Sequence, residues 1–266
     1  MTRLVQIYTE REHQILGGGF ILLLIIAWES VPHLVTLPRA LSLFFTTPSK
    51  VSETFYELVV QNEFQTHFYV SAVEFLLGLG LAILAGLPLG LVMGRSSVVD
   101  AMFDPYVTAL NATPRIVFLP LLILWLGLGI WSKVMIVFIG ALFPLLINTY
   151  EGVKNVDRVL VNVVRSFGAN EWQVMKMVVL PNSLPYVVAG LRLAIGRAIL
   201  GVVVGEFYGA TKGLGSMMAK AASAFQVDVV FVGAAIFMGI SLIFTLTVKR
   251  IEANLSRWRP DVVKTF

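Results

Sequence analysis

The sequence predicts an all-α, polytopic membrane protein with six transmembrane helices and a cytoplasmic helical hairpin between the fourth and the fifth. Three observations carry this. Of 266 residues, 57% are hydrophobic and only 14% are charged, with a mean hydropathy of +0.83, whereas a soluble domain is about 45 to 50% apolar and about a quarter charged. The apolar residues fall into blocks of roughly 20, the length that crosses about 30 Å of hydrocarbon at 1.5 Å per residue. The Lys and Arg residues sit between those blocks and not in one patch with interleaved aromatics. The formal charge of +4 therefore speaks for membrane orientation and against nucleic acid.

The spans follow in order. The first runs from about Ile15 to Val35, with Trp28 as an interfacial aromatic; it follows Arg3 and Arg11 without a small-residue cleavage site and reads as a retained anchor. The second is Ser71 to Met93. The third lies around Tyr106 to Leu128 and the fourth around Trp131 to Tyr150, separated by the tight Gly127-Leu128-Gly129 turn. The fifth covers about Leu184 to Gly205, and the sixth, Val229 to Val248, is uncharged. The chain reads as one transmembrane domain over 1–266, with a cytoplasmic N-terminus at 1–14, a cytoplasmic loop at 152–182 and a cytoplasmic tail at 249–266.

Orientation comes from counting Lys and Arg in the connections. With the N-terminus inside, thirteen fall in inner segments, and five, Arg39, Lys50, Lys133, Lys212 and Lys220, fall in outer ones. Both termini are therefore expected in the cytoplasm. There are no cysteines, which removes disulfides, thiolate metal sites and cysteine nucleophiles.

Two connections exceed simple turns. In the outer one, Thr47 to His67, Thr47 precedes Pro48 as a cap and first-turn proline, and Val51, Phe55, Leu58 and Val59 recur at helical spacing. This is either an amphipathic helix along the outer surface or a short helix packed on the spans. In the inner one, Gly152 to Asn182, the helical pattern from Asp157 to Val179 is interrupted at Phe167-Gly168-Ala169-Asn170 and ends at Leu180-Pro181. Two short helices joined at a glycine fit it: Gly168 can take a positive φ or admit another backbone, and Pro181 is expected to stop the second helix. The hairpin is either a partner-docking element or a plain connector.

The residues of this loop resemble the transmembrane subunits of binding-protein-dependent ABC importers. That family carries a cytoplasmic signature of Glu-Ala-Ala, three residues, Gly, nine residues and Ile-x-Leu-Pro. Here the glycine is Gly168, with Val178-Val179-Leu180-Pro181 at the matching distance and Asn162, Val163 and Val164 in the Glu-Ala-Ala positions. Over roughly Pro48 to Trp258, further segments are similar to the branch serving nitrate, taurine and alkanesulfonates. They include Gly86-Leu87-Pro88-Leu89-Gly90, Pro114-Arg115, Trp125-Leu126-Gly127-Leu128-Gly129 with Ser132-Lys133, Gly190-Leu191-Arg192-Leu193, Glu206 and Gly213-Leu214-Gly215.

The resemblance implies a bacterial inner-membrane permease subunit, working as a homodimer with two separate ATPase subunits and receiving a small solute from an extracytoplasmic binding protein. The ATPase-coupling residues it implies are Asn162, Val163, Val164, Arg165, Ser166, Gly168, Ala169, Leu180 and Pro181. No cofactor is expected in this chain, since ATP and Mg belong to the ATPase; no Gly-x-x-x-x-Gly-Lys-Ser/Thr loop is present, so the chain is not expected to be an enzyme.

Ionisable residues inside spans are costly and mark candidate function. Arg192 and Arg197 point about 140° apart on the fifth helix, so one is expected to pair structurally. Arg197 and Glu206 are the candidates to touch the translocation pathway, and Glu74 is expected at the interface near the outer end of the second span. His13, His33 and His67 are scattered, without metal-ligand spacing, and each is expected at the surface. The competing functional reading is a secondary carrier driven by an ion gradient, which would show internal repeats and acidic relays; a third is a membrane scaffold with no pathway.

Overall fold

The computed structural model describes residues 2–34, 38 and 43–255, all of whose regular structure is helical. Val35, Arg39, Arg257, Arg259, Lys264 and most of the expected tail lie outside the described residues. The elements are α1 (Thr2–Leu34), α2 (Pro48–Val60), α3 (Glu63–Arg95), α4 (Ser97–Ala112), a 3-10 turn (Arg115–Val117), α5 (Phe118–Leu126), α6 (Ile130–Lys154), α7 (Arg158–Ser166), α8 (Glu171–Val174), a π-helical segment (Met175–Val179), α9 (Leu180–Phe207), α10 (Leu214–Ser223) and α11 (Val227–Leu255). They form two compact units, 1–64 with 217–234, and 65–216 with 235–266.

In the first unit α1 is apolar and exposed from Ile15 to Pro32, with none of that stretch buried. The expected cap on α2 is present, since the Thr47 side chain accepts from the Lys50 amide and Pro48 opens the helix. α2 is held by side chains. The Ser49 amide donates to Glu29 at 3.0 Å, and the Thr54 hydroxyl donates to Asp228 at 2.8 Å. Trp28 donates its indole N–H to the Thr46 carbonyl at 2.8 Å and lies 5.1 Å from the Phe231 ring. An indole at this position thus has a partner for its polar edge and a ring for its face.

The second unit is built around α3, α6 and α9. Without a hydrophobic drive between helices in lipid, close approach comes from small residues that let backbones meet. α3 carries Gly78, Ala82, Gly86, Gly90 and Gly94 at intervals of four, one small-residue face against α6. A Cβ added at Gly90 would sit 2.7 Å from the Leu146 carbonyl oxygen, and one at Gly201 of α9 would sit 2.9 Å from the Val137 Cα. Val134, Val137, Ala141 and Leu145 of α6 are completely buried in the resulting core.

Among the described residues, five helical segments are long and apolar enough to cross a bilayer: α1, α3, α6, α11, and α9 together with the turns that lead into it. The third expected span, Tyr106 to Leu128, is not one straight helix. α4 and the segment from Arg115 to Leu126 meet at a break with an 87° bend, and count as a sixth span only when joined. The cause is Pro114, which disfavours helical geometry in the residue before it: Thr113 is extended at φ −74°, ψ 132°, and Pro114 follows at ψ 112°.

Pro181 also corrects an expectation. It does not end the helix; α8 runs through the π-helical segment directly into α9 with Pro181 near the α9 N-terminus. Widening the preceding turn makes room for the proline ring and for its missing N–H. The Asn182 side chain donates to the Val178 carbonyl at 2.8 Å, supplying a partner there.

Candidate functional site

The hairpin at 158–179 is the first candidate site, and its rigidity is local. Asp157 caps α7 by accepting from the Val159 amide at 2.8 Å. At the other end Gly168 has φ +83°, and two bonds close the turn: Gly168 N–H to Arg165 O at 2.9 Å and Ala169 N–H to Val164 O at 3.3 Å. This is a Schellman motif, for which glycine is the favoured left-handed residue. Two residues later Asn170 and Gln173 make a reciprocal capping box, at 2.9 and 2.8 Å, that starts α8. Of the two roles the sequence allows for Gly168, the structure displays the positive φ; beyond its two chain neighbours, no atom of the described residues lies within 4 Å of where its Cβ would be.

Val161, Val164 and Ala169 turn inward onto Val153, Val174 and Val179. Glu171 pairs with both Arg165 and Arg95, tying α7 and α8 to the end of α3. The opposite surface stays apolar and open: Val163 is exposed, Phe167 is 87% exposed and Trp172 is 70% exposed. Asn162, Arg165 and Ser166 lie on exposed positions of α7, and Ser166 donates to the Val163 carbonyl at 2.7 Å. Leu180 and Pro181 are half-buried at the base of α9, so the residues expected at the coupling loop divide into an exposed tip and a packed base.

A second site lies at the end of the same unit that carries the Gly127–Gly129 turn. Glu206, Glu74 and Lys133 are 1, 2 and 1% exposed, so Glu74 is not the interfacial residue expected from its place in the sequence. The Glu206 carboxylate accepts the Ser71 hydroxyl at 2.5 Å and the Gly215 amide at 2.5 Å. Ser71 in turn accepts the Leu214 amide at 2.8 Å. The Gly213 amide donates to His67 Nδ1 at 2.9 Å, so His67 is half-buried and structural, not a plain surface residue. Gly213 has φ +121° and a Cβ there would overlap the Glu206 carboxylate, which explains both glycines of Gly213-Leu214-Gly215. Lys133, counted in an outer connection by its sequence position, donates to the carbonyls of Leu128, Gly129 and Gly209, the latter two at 3.1 and 3.3 Å.

The two arginines of α9 separate as their spacing requires. Arg192 is ion-paired with Glu252 of α11. Arg197, five residues on, lines a cavity of about 420 Å³ with Arg115, Asn111 and Thr113. Sequence reading missed Lys133 and Arg115, because both count as orientation charges of the connections, Lys133 outer and Arg115 inner.

Apolar spans packed through small residues, with buried charges and a doubly capped hairpin between two of them, define a multi-pass membrane protein. The chain belongs to the family described as binding-protein-dependent transport system inner membrane component, which matches residues 82–257, and is an inner-membrane permease of the ABC transporter type. It is 30% identical over 252 residues to the taurine transport system permease protein TauC of Escherichia coli K12, covering 93% of this chain and 90% of that one. It is 36% identical over 217 residues to the putative aliphatic sulfonates transport permease protein SsuC of Bacillus subtilis 168, covering 80% and 77%. It is also 30% identical over 241 residues to the formylaminopyrimidine transport permease protein ThiX of Halalkalibacterium halodurans, covering 90% and 94%. In fold it is similar to a chain of the inward-facing MetNI methionine ABC transporter, with a TM-score of 0.64 at 17% identity, covering 71% of this chain and 94% of that one.

Proposed function

We propose that this chain forms the membrane pathway for a small oxyanion, of the sulfonate, taurine or nitrate class, delivered by an extracytoplasmic binding protein and driven by ATP hydrolysis on two separate ATPase subunits. The observation that carries the ATPase contact is the hairpin at 158–179: its turn is fixed by Gly168 and the Asn170 capping box, while Phe167 and Trp172 stand exposed beside it. An apolar surface of this kind on a rigid projection suits a groove on a partner protein. Support for the solute class comes from TauC, a taurine transport permease, and SsuC, a putative aliphatic sulfonates transport permease. Two copies of the chain would enclose the pathway.

The termini and the hairpin are assigned to the cytoplasm. Taking the buried Lys133 and the cavity-lining Arg115 out of the charge count leaves twelve inner basic residues against four outer ones, so the asymmetry keeps its sign.

Reconstitution with the ATPase and binding protein in proteoliposomes tests the reading. ATP should drive uptake of taurine or an alkanesulfonate, and the purified chain alone should hydrolyse no ATP. Uptake that ignores ATP and follows a proton or sodium gradient would establish a secondary carrier instead. ATP-driven uptake of a formylaminopyrimidine and of no oxyanion would overturn the solute class while leaving the mechanism.

A further inference from the structure

The same α9 helix carries two arginines with opposite surroundings, and the contrast is informative. Arg192 is neutralised by Glu252. The Arg197 side chain makes no ion pair or hydrogen bond among the described residues, and the other cation on its cavity is Arg115. Both arginines line the cavity of about 420 Å³, whose wall holds no Asp or Glu. Arg115 is half-buried and Arg197 opens onto the cavity, so two like charges face one space with no acidic partner, an arrangement suited to a ligand that supplies the missing charge.

The remainder of the wall is suited to an anion. Arg115 donates one N–H to Asn111 Oδ1 at 3.2 Å, while its Nε is buried with no partner. The break at Thr113 and Pro114 brings irregular backbone to the cavity, which is the setting in which such backbone is tolerated at membrane depth. On the facing helix Gly140 approaches the Arg197 carbonyl so closely that a Cβ would lie 3.1 Å from it, which fixes the Arg197 backbone against α6. A guanidinium presents parallel N–H donors that match an oxyanion, and a volume in this range holds a small ligand.

We propose that the cavity between the Pro114 break and α9 is an oxyanion-binding site, in which Arg115 and Arg197 hold the sulfonate-type head of the solute inside the membrane. The assignment rests on the transport reading above and adds a solute site within the permease itself.

Binding is measured on the permease–ATPase complex in nanodiscs of zwitterionic lipid, without binding protein, by calorimetric titration with methanesulfonate, sulfate and the uncharged analogue dimethyl sulfone. Methanesulfonate should bind and dimethyl sulfone should not. Arg197→Gln and Arg115→Gln should each weaken binding roughly tenfold or more, as loss of a charge-assisted pair does. Arg197→Lys should keep part of the affinity, since it retains the charge without the fork, and Arg192→Gln should leave it unchanged. The ligand-free melting temperature of the two cavity variants should match the parent, separating a binding role from a structural one, and the basal ATPase rate of Arg192→Gln should stay at the parent value. Methanesulfonate affinity that falls when phosphatidylglycerol is added would assign the site to a lipid headgroup and overturn the proposal, as would equal binding by the parent and both Gln variants. If the complete transporter moves no oxyanion at all, the transport reading fails, and the titration still decides whether the site exists. If it moves sulfonates and both Gln variants move them with unchanged KM, the site is wrong and the transport reading stands.

Discussion

Glu206 and Gly215 are joined by a hydrogen bond of 2.5 Å from the Gly215 amide to the Glu206 carboxylate, so a side chain near the end of α9 organises the first turn of α10. The same carboxylate takes the Ser71 hydroxyl of α3. Free N–H groups at a helix start attract negative charge, and here the charge is supplied from the preceding helix. Glu206→Ala should therefore strand two donors at a buried site, a loss of about 1–3 kcal/mol for each, read as a lowered melting temperature in detergent. Gly213→Ala should be comparably harmful because its methyl would meet the carboxylate. The double variant should melt higher than additivity predicts, since removing the carboxylate removes the collision. Strict additivity would mean that the two residues do not share one site.

Lys133 gives a second test at the same end of the unit. Its ammonium bridges the Gly127–Gly129 turn to the carbonyl of Gly209, which holds two loops together through one cation. Lys133→Met preserves the length and most of the volume of the side chain but leaves three carbonyls without a charged donor. The segment from Gly209 to Gly213 should become open to protease from that side of the membrane while the spans remain intact. Unchanged cleavage would show that Lys133 is not needed to hold the loop beside its contacts to Glu206, Ser71 and His67.

The topology prediction uses single cysteines in a chain that has none. Ser49 and Ser223 are exposed, whereas Ser216 is 1% exposed and would not report on sidedness. Cysteines at Ser49 and Ser223 should react with an impermeant maleimide added outside, and cysteines at Ser166 and Asn170 should react only after the membrane is opened. The reverse pattern would invert the bundle and remove the hairpin from the ATPase side.

The spans were legible because each is a long apolar run, and a run of that kind depends on neighbouring residues alone. The hairpin was legible for the same reason: Asp157, Gly168 and Asn170 act through bonds no more than a few residues long. The 87° break was hidden by hydrophobicity that continues straight through it, although Thr113-Pro114 carried the signal. Helix continuity across Pro181 was missed because a π-helical turn depends on how the segment is held at both ends. Glu74 and Lys133 could not be placed from position in the chain, since their burial arises from helices more than 50 residues away. The four-residue repeat of small residues from Gly78 to Gly94 was readable, and would have named the face of α3 that meets α6.

The Gly168 turn permits a graded test of the hairpin. Its φ of +83° lies where side chains other than glycine are strained, and its Cβ position is empty. Substitutions should therefore act through backbone strain and not through a clash within the chain. Asn tolerates the left-handed region best, Ala less well, and a β-branched residue least, with a cost of about 1–2 kcal/mol for an ordinary residue there. Transport should fall in the order Asn, Ala, Val, while membrane abundance stays near normal because the turn lies outside the apolar spans. ATP hydrolysis by the assembled complex should lose its response to the loaded binding protein in the same order. Phe167→Ser, which keeps the turn and removes an exposed ring, should lower co-purification of the ATPase without changing the melting temperature of the isolated chain. Asn162→Glu should be tolerated, since Asn162 is exposed and its side chain does not enter the packed base of the hairpin. Full transport by Gly168→Val at normal abundance would reduce the hairpin to a connector and move the ATPase contact elsewhere on the chain.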